Sequence, residues 1–224
     1  MIPRLVWLGL AYLFAALPIG VAVTTLWGPG TDVREAGSGN VGATNVARVA
    51  GWRLGLAVLG LDFLKGAVPV LFTLLLWPGE GRAFAALVAA VAFAGHCWPV
   101  YLEFRGGKGV ATAAGALAAL SPVVTAVGAL AWGAVLAATG RASVASLSSV
   151  GAVVFSALLV DRAILPVALA LAVAIVVRHA SNLARLADGT EDRVAARRVE
   201  AAVDPQTWLE QGPDGRPTGR GAWR

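Results

Sequence analysis

The chain has 224 residues, of which 58% are hydrophobic and only 14% charged, with a mean hydropathy of +0.73. One soluble core does not use that much apolar side chain, so the composition excludes an ordinary soluble domain and indicates an integral membrane protein. The net charge of +5 does not point to nucleic acid, because the cations sit in short loops between apolar runs and in the tail, as in cytoplasmic loops of membrane proteins.

A transmembrane helix needs about 20 apolar residues. The apolar runs here are 5–26, 54–77, 83–102, 110–139, 142–160 and 163–177. The first is longer than the apolar region of a cleaved signal peptide and is expected to be a retained helix. Trp7 and Trp27, then Trp52 and Trp77, bracket the first two runs, where indoles suit the two interfaces. The run 110–139 is too long for one span, and Pro122 suits the first turn of a new helix. Splitting it there predicts an all-α bundle of seven transmembrane helices. Its first piece, 109–120, is only about 18 Å long and needs a tilt or a polar extension.

Crossing parity supports that count, because seven helices put all three polar segments of the chain on one face and six do not. Charge agrees: Arg34, Arg48, Arg53, Arg105, Lys108, Arg141, Arg178, Arg185, Arg193, Arg197 and Arg198 fall on that face, and Arg4, Arg82 and Arg162 opposite. The shared face is therefore expected to be cytoplasmic, with the N-terminus outside and the C-terminus inside. Residues 1–202 form the expected membrane domain, and 203–224, with Pro205, Pro213 and Pro217, read as a disordered cytoplasmic tail.

The first polar segment, between the first two helices, carries Gly37, Ser38, Gly39, Asn40, Gly42, Thr44, Asn45 and Arg48. Its GxGxxG pattern lacks the strand and the ribose-binding carboxylate of a dinucleotide site. What remains is an anion site: glycines admit backbone amides, the polar side chains add donors, and Arg48 adds charge. A solvated glycine-rich turn is the plainer alternative.

The second segment runs from His96 and Cys97 through Arg105, Gly106, Gly107, Lys108 and Gly109. Glycines around a lysine again suit phosphate, although the spacing is not that of a nucleotide-binding P-loop. His96 and Cys97 are neighbours and point apart on a helix, which excludes a cysteine nucleophile pair. The third segment, closing the last helix, carries Arg178, His179, Asn182, Arg185 and Glu191. On one continuous helix Arg178, Asn182 and Arg185 share a stripe beside His179. The alternative is a cationic helix end facing anionic lipid. Asp62 and Lys65 are ionisable residues inside a span, suited to a structural pair or to the site. Ser146, Ser148 and Ser149 are donors into the site or interhelical packing residues.

Together the three segments resemble the signature motifs of the PlsY family, bacterial acyl-phosphate:glycerol-3-phosphate acyltransferases, over roughly residues 5–192. Trp98 and Arg105 stand where that family usually has Phe and Lys, and Ala180 and Ser181 where a more polar pair is common. The resemblance implies transfer of a fatty acyl group from acyl phosphate to the sn-1 hydroxyl of glycerol 3-phosphate, giving lysophosphatidate and inorganic phosphate. It implies no cofactor and an inner (plasma) membrane location with the site on the cytoplasmic face. Catalytic roles are expected for Ser38, Lys108, His179 and Asn182. Substrate phosphates are expected at Gly37, Ser38, Gly39, Asn40, Gly42, Thr44, Asn45, Arg48, His96, Arg105, Gly106, Gly107, Lys108, Gly109, Ser146, Arg178, Arg185 and Glu191. The proton is expected to pass to the donor's own phosphate, with His179 as general base the competing hypothesis. Two histidines 83 residues apart make no metal cluster. From another class, a transporter of phosphorylated anions also uses glycine breaks and buried cations, but no inverted repeat is visible.

Overall fold

The structure, a computed structural model, describes residues 2–194. The expected tail 203–224, with Arg197 and Arg198, lies outside them. The described chain is helical and membrane-like: α1 Arg4–Ala15, α2 Ile19–Leu26, α3 Ala43–Ala50, α4 Trp52–Leu76, α5 Gly81–Cys97, α6 Val110–Leu120, α7 Pro122–Thr139, α8 Ala142–Val160, α9 Leu165–Arg178 and α10 Ala180–Ala187. Among the described residues, five stretches are long and apolar enough to cross a membrane, and α9 with α10 makes a sixth bent by 55°. α6, at 11 residues, is shorter than a span.

Three expectations change in detail. The first run is interrupted rather than continuous, because Pro18 has no N–H to give. At the break the Leu17 carbonyl accepts from the Ile19 amide at 2.9 Å and from Lys65 Nζ at 3.1 Å, and Lys65 lies 3.0 Å from Asp62. The run 83–102 is helical only to Cys97, and a turn at Val100–Leu102 follows Pro99. The third polar segment does not continue one helix, since the axis breaks at His179. Among the tryptophans, Trp27 and Trp52 are exposed, whereas Trp7 and the buried Trp77 turn inward against each other, with ring centres 5.8 Å apart.

The bundle has two ends of different chemistry. At one, Arg4 pairs with Glu80, and Arg82 forks onto Asp161 at 2.7 and 2.9 Å while also meeting the Leu120 carbonyl. Those contacts gather the start of α1, the α4–α5 turn, the α6–α7 junction and the α8–α9 turn. The three polar segments lie at the other end, bridged by Lys108 to Asn182 and by Arg48 to Asp192. Inside, α4 and α6 meet backbone to backbone: a Cβ on Gly66 would strike the Thr112 carbonyl, and one on Gly115 the Phe63 carbonyl. Small residues allow this approach, which is how helices pack where no water drives association.

Candidate active site: a cationic mouth over an apolar shaft

The two first-turn regions that open on the main cavity follow from glycine. Gly42 caps α3 in extended backbone, and Gly109 caps α6 at φ +77, a conformation that a side chain disfavours and that the Phe93 ring would block. The first amides of each helix have no helical partner. Gly42, Ala43 and Thr44 from α3, and Lys108, Gly109, Val110 and Ala111 before and within α6, line the same cavity of about 380 Å³. Two helix N-termini therefore converge with Lys108, Arg48 and Arg185, an arrangement suited to anions.

Lys108 is held by Asn182, whose Oδ1 accepts from its Nζ at 2.5 Å, and the Asn182 amide nitrogen donates to Glu191 at 2.6 Å. Arg185 Nε donates to the second Glu191 oxygen at 2.8 Å. Burial pushes Lys108 down, helped by Arg185 and opposed by Glu191, to about 8. Burial alone would raise Glu191, but its donors, Asn182 and Arg185 among them, hold it below the usual carboxylate range. Glu191 is thus an anion whose oxygens are already engaged, and it orients Asn182 and Arg185 rather than receiving phosphate itself. The break at His179 lets its Nδ1 meet the Ile175 carbonyl at 2.8 Å. A carbonyl only accepts, so Nδ1 carries the proton and neutral His179 keeps a lone pair on Nε2.

Ser38, Asn40, Gly42, Thr44, Asn45, Arg48, His96, Lys108, Gly109, Ser146, His179, Asn182, Arg185 and Glu191 all line this cavity. The remaining candidates, Gly37, Gly39, Arg105, Gly106, Gly107 and Arg178, do not line it. Gly37 and Gly39, at φ +62 and +69, turn the loop so that Asn45 can pin it. Asn45 accepts from the Ser38 amide at 2.9 Å and donates to Val33 and Ala36 carbonyls at 3.1 and 3.0 Å, so its amide is spent on the loop. The amides of Gly106 and Gly107 do not face an anion, because they donate to Cys97 and His96 carbonyls at 3.2 Å each. Their own carbonyls accept from Arg178, which also lies over Trp98. Arg178 is accordingly a clamp on the Lys108 loop, and Arg105 is exposed outside the cavity. His96 is buried behind Gly107, with Nδ1 3.6 Å from Asp62.

Sequence reasoning missed the larger part of the cavity. Below the cations it runs between α6, α7, α8 and α9, past Leu117, Thr125, Gly128, Trp132, Val150, Val153, Ala168, Leu171 and Ile175. The hydroxyls of Thr125, Ser146 and Ser149 on this wall are spent on backbone carbonyls. Thr125 donates to Ser121, Ser146 to Ala142 and Ser149 to Ser146 carbonyls of their own helical turns, and Trp132 donates to Ser146. The wall is in effect apolar. Its one signal in the sequence is the density of alanine, glycine and serine from residue 110 onward.

Known proteins resemble this chain in sequence and in fold. Residues 5–189 match the family model described as glycerol-3-phosphate acyltransferase. A protein so named from Anaeromyxobacter sp. (strain Fw109-5) is 47% identical over 195 residues, covering 85% of this chain and 96% of that one. One from Syntrophotalea carbinolica is 46% identical over 191 residues, covering 83% and 95%. The crystal structure of PlsY (YgiH), an integral membrane glycerol 3-phosphate acyltransferase in its glycerol 3-phosphate form, superimposes with a TM-score of 0.79 at 34% identity, covering 85% of this chain and 94% of that one. Its lysophosphatidic acid form gives 0.78 at the same identity. With its motifs, its helical membrane bundle and its fold in agreement over most of its length, the chain belongs to the family of integral membrane glycerol-3-phosphate acyltransferases.

Proposed function

We propose that the protein transfers a fatty acyl group from acyl phosphate to the sn-1 hydroxyl of glycerol 3-phosphate, releasing inorganic phosphate and 1-acylglycerol 3-phosphate. The observation that carries this is the junction itself, where a cationic mouth with two helix N-termini opens into an apolar shaft. A phosphorylated solute needs the first, an alkyl chain needs the second, and acyl phosphate is a molecule that needs both. The relatives' names specify glycerol 3-phosphate, and one solved relative holds it.

The hydroxyl oxygen attacks the acyl carbon, the bond from that carbon to the phosphate oxygen breaks, and the hydroxyl proton passes to the departing phosphate. Phosphate leaves readily, so no acyl-enzyme is required. Lys108, Arg48 and Arg185 neutralise the phosphates and the charge that develops on the carbonyl oxygen, and their fixed positions supply orientation. Ser38 and Asn182 add hydrogen bonds at the rim. A second reading has its own observation: the lone pair that His179 keeps at Nε2 suits a general base. His179→Gln separates the two, since glutamine positions but does not take a proton. A single-turnover rate within about tenfold of the parent supports transfer to phosphate, and a loss of about 100-fold or more supports the base.

Seven crossings are proposed as well, with α6 as a short tilted crossing, the site at the cytoplasmic face of the inner membrane and residues 1–202 as the membrane domain. The convergence of all three polar segments at one end of the bundle supports this. The donor assignment is tested with purified protein in lipid, supplied with glycerol 3-phosphate and either palmitoyl phosphate or a palmitoyl thioester. Ester formation with equimolar phosphate release from the first donor alone is expected. Ester formed from the thioester but not from palmitoyl phosphate would remove acyl phosphate as the donor.

A further inference from the structure

The apolar shaft has a floor. On α8 the cavity wall runs from Ala142 to Val153, and on the antiparallel α9 from His179's end back to Ala168. Each covers eleven residue steps, so both walls descend about 16 Å at helical rise. At that depth Leu117 from α6 and Thr125 from α7 complete the lining. Gly128 decides how the floor is closed, because a Cβ there would strike Val153 Cγ2. Glycine thus lets the half-buried Val153 side chain lean against α7 at the deep end of the α8 lining.

We propose that Val153, seated against Gly128, sets the longest acyl chain this enzyme accepts. The inference rests on the acyl-transfer reading above, with the donor's alkyl chain lying in the shaft and its methyl end meeting the floor. Chain atoms that fit displace nothing, whereas each methylene beyond the floor must push Val153 into a helix contact that has no spare room. In an apolar pocket one methylene is worth about 10- to 200-fold in discrimination, so a single residue at the floor suffices for a sharp limit. Leu59 and Phe63 of α4 line the cavity elsewhere, outside the four-helix shaft.

Substitutions in opposite directions separate a length gauge from general damage. Lauroyl, palmitoyl and stearoyl phosphates are compared by kcat/KM in the parent, Val153→Phe and Val153→Ala, in lipid, with the KM for glycerol 3-phosphate measured alongside. Val153→Phe is expected to lower the palmitoyl-to-lauroyl ratio by about tenfold or more, and Val153→Ala to raise the stearoyl-to-palmitoyl ratio, with the glycerol 3-phosphate KM unchanged in both. Ratios that stay at parental values while the parent is active overturn the gauge and leave acyl transfer standing. Ratios that move with Phe63→Ala but not with Val153 overturn it too. A folded parent that transfers none of the chains overturns the acyl-transfer reading and the gauge with it.

Discussion

Lys108 is the residue on which the electrostatics of the site turn. Burial and the neighbouring Arg185 bring it down to about 8, so its charge is lost within reach of ordinary assay conditions. Below that value the ammonium meets the phosphate, and above it the free enzyme presents a neutral amine. The KM for glycerol 3-phosphate is therefore expected to rise as pH goes from about 7 to about 9, with kcat less affected because bound phosphate restores the proton. Lys108→Arg, whose group does not deprotonate, should flatten that rise even if its fork geometry lowers the rate. A KM that is flat across this range in the parent would contradict the assignment. His179 and Asn182 became candidates through the three motifs taken together rather than through the third segment alone, and both line the cavity. Glu191 was not readable in its role: a carboxylate beside arginines is written the same way whether it meets substrate or steadies the residues that do. Only the bonds to Asn182 and Arg185 decide between them.

At the level of elements, glycine has two separable jobs. Gly66 and Gly115 bring α4 and α6 into backbone contact, which fixes where the N-terminus of α6 and Lys108 stand. Gly66→Leu should force the helices apart, lower thermal stability by roughly 2 kcal/mol or more through overpacking, and abolish transfer, as read by melting in detergent and by activity. Gly60, with open space around it, is the control: Gly60→Leu should leave activity within about twofold. Helix positions were largely legible because apolar length is a local property, and the Ser121–Pro122 boundary of α7 was read correctly from its proline. The bonds from Gly106 to Cys97 and from Gly107 to His96 span a turn whose shape no local pattern encodes, so these glycines looked like an anion loop. The shaft was illegible for a similar reason. It depends on how four helices are rotated about their axes, and small residues face both lipid and cavity.

Across the whole molecule the account requires every phosphate-binding group to face one side of the membrane. The ion pairs Arg4–Glu80 and Arg82–Asp161 stand at the other end of the bundle. Cys97 is the one cysteine and is buried, so a Cys97→Ala background permits topology mapping. Cysteines placed at Glu35 and Thr190 should be blocked by an impermeant thiol reagent only from the cytoplasmic side, and one at Gly79 only from outside. Labelling of Glu35 and Thr190 positions from opposite sides would break the seven-crossing arrangement. The central claim is that acyl transfer occurs at the junction of cationic mouth and apolar shaft. Its most direct test is the single-turnover rate of acylglycerol phosphate formation from palmitoyl phosphate and glycerol 3-phosphate, in lipid, for the parent and for folded Lys108→Ala. A parent rate that needs both substrates and falls by about 100-fold or more in the variant is predicted. Formation at the parental rate without the Lys108 amine would contradict it.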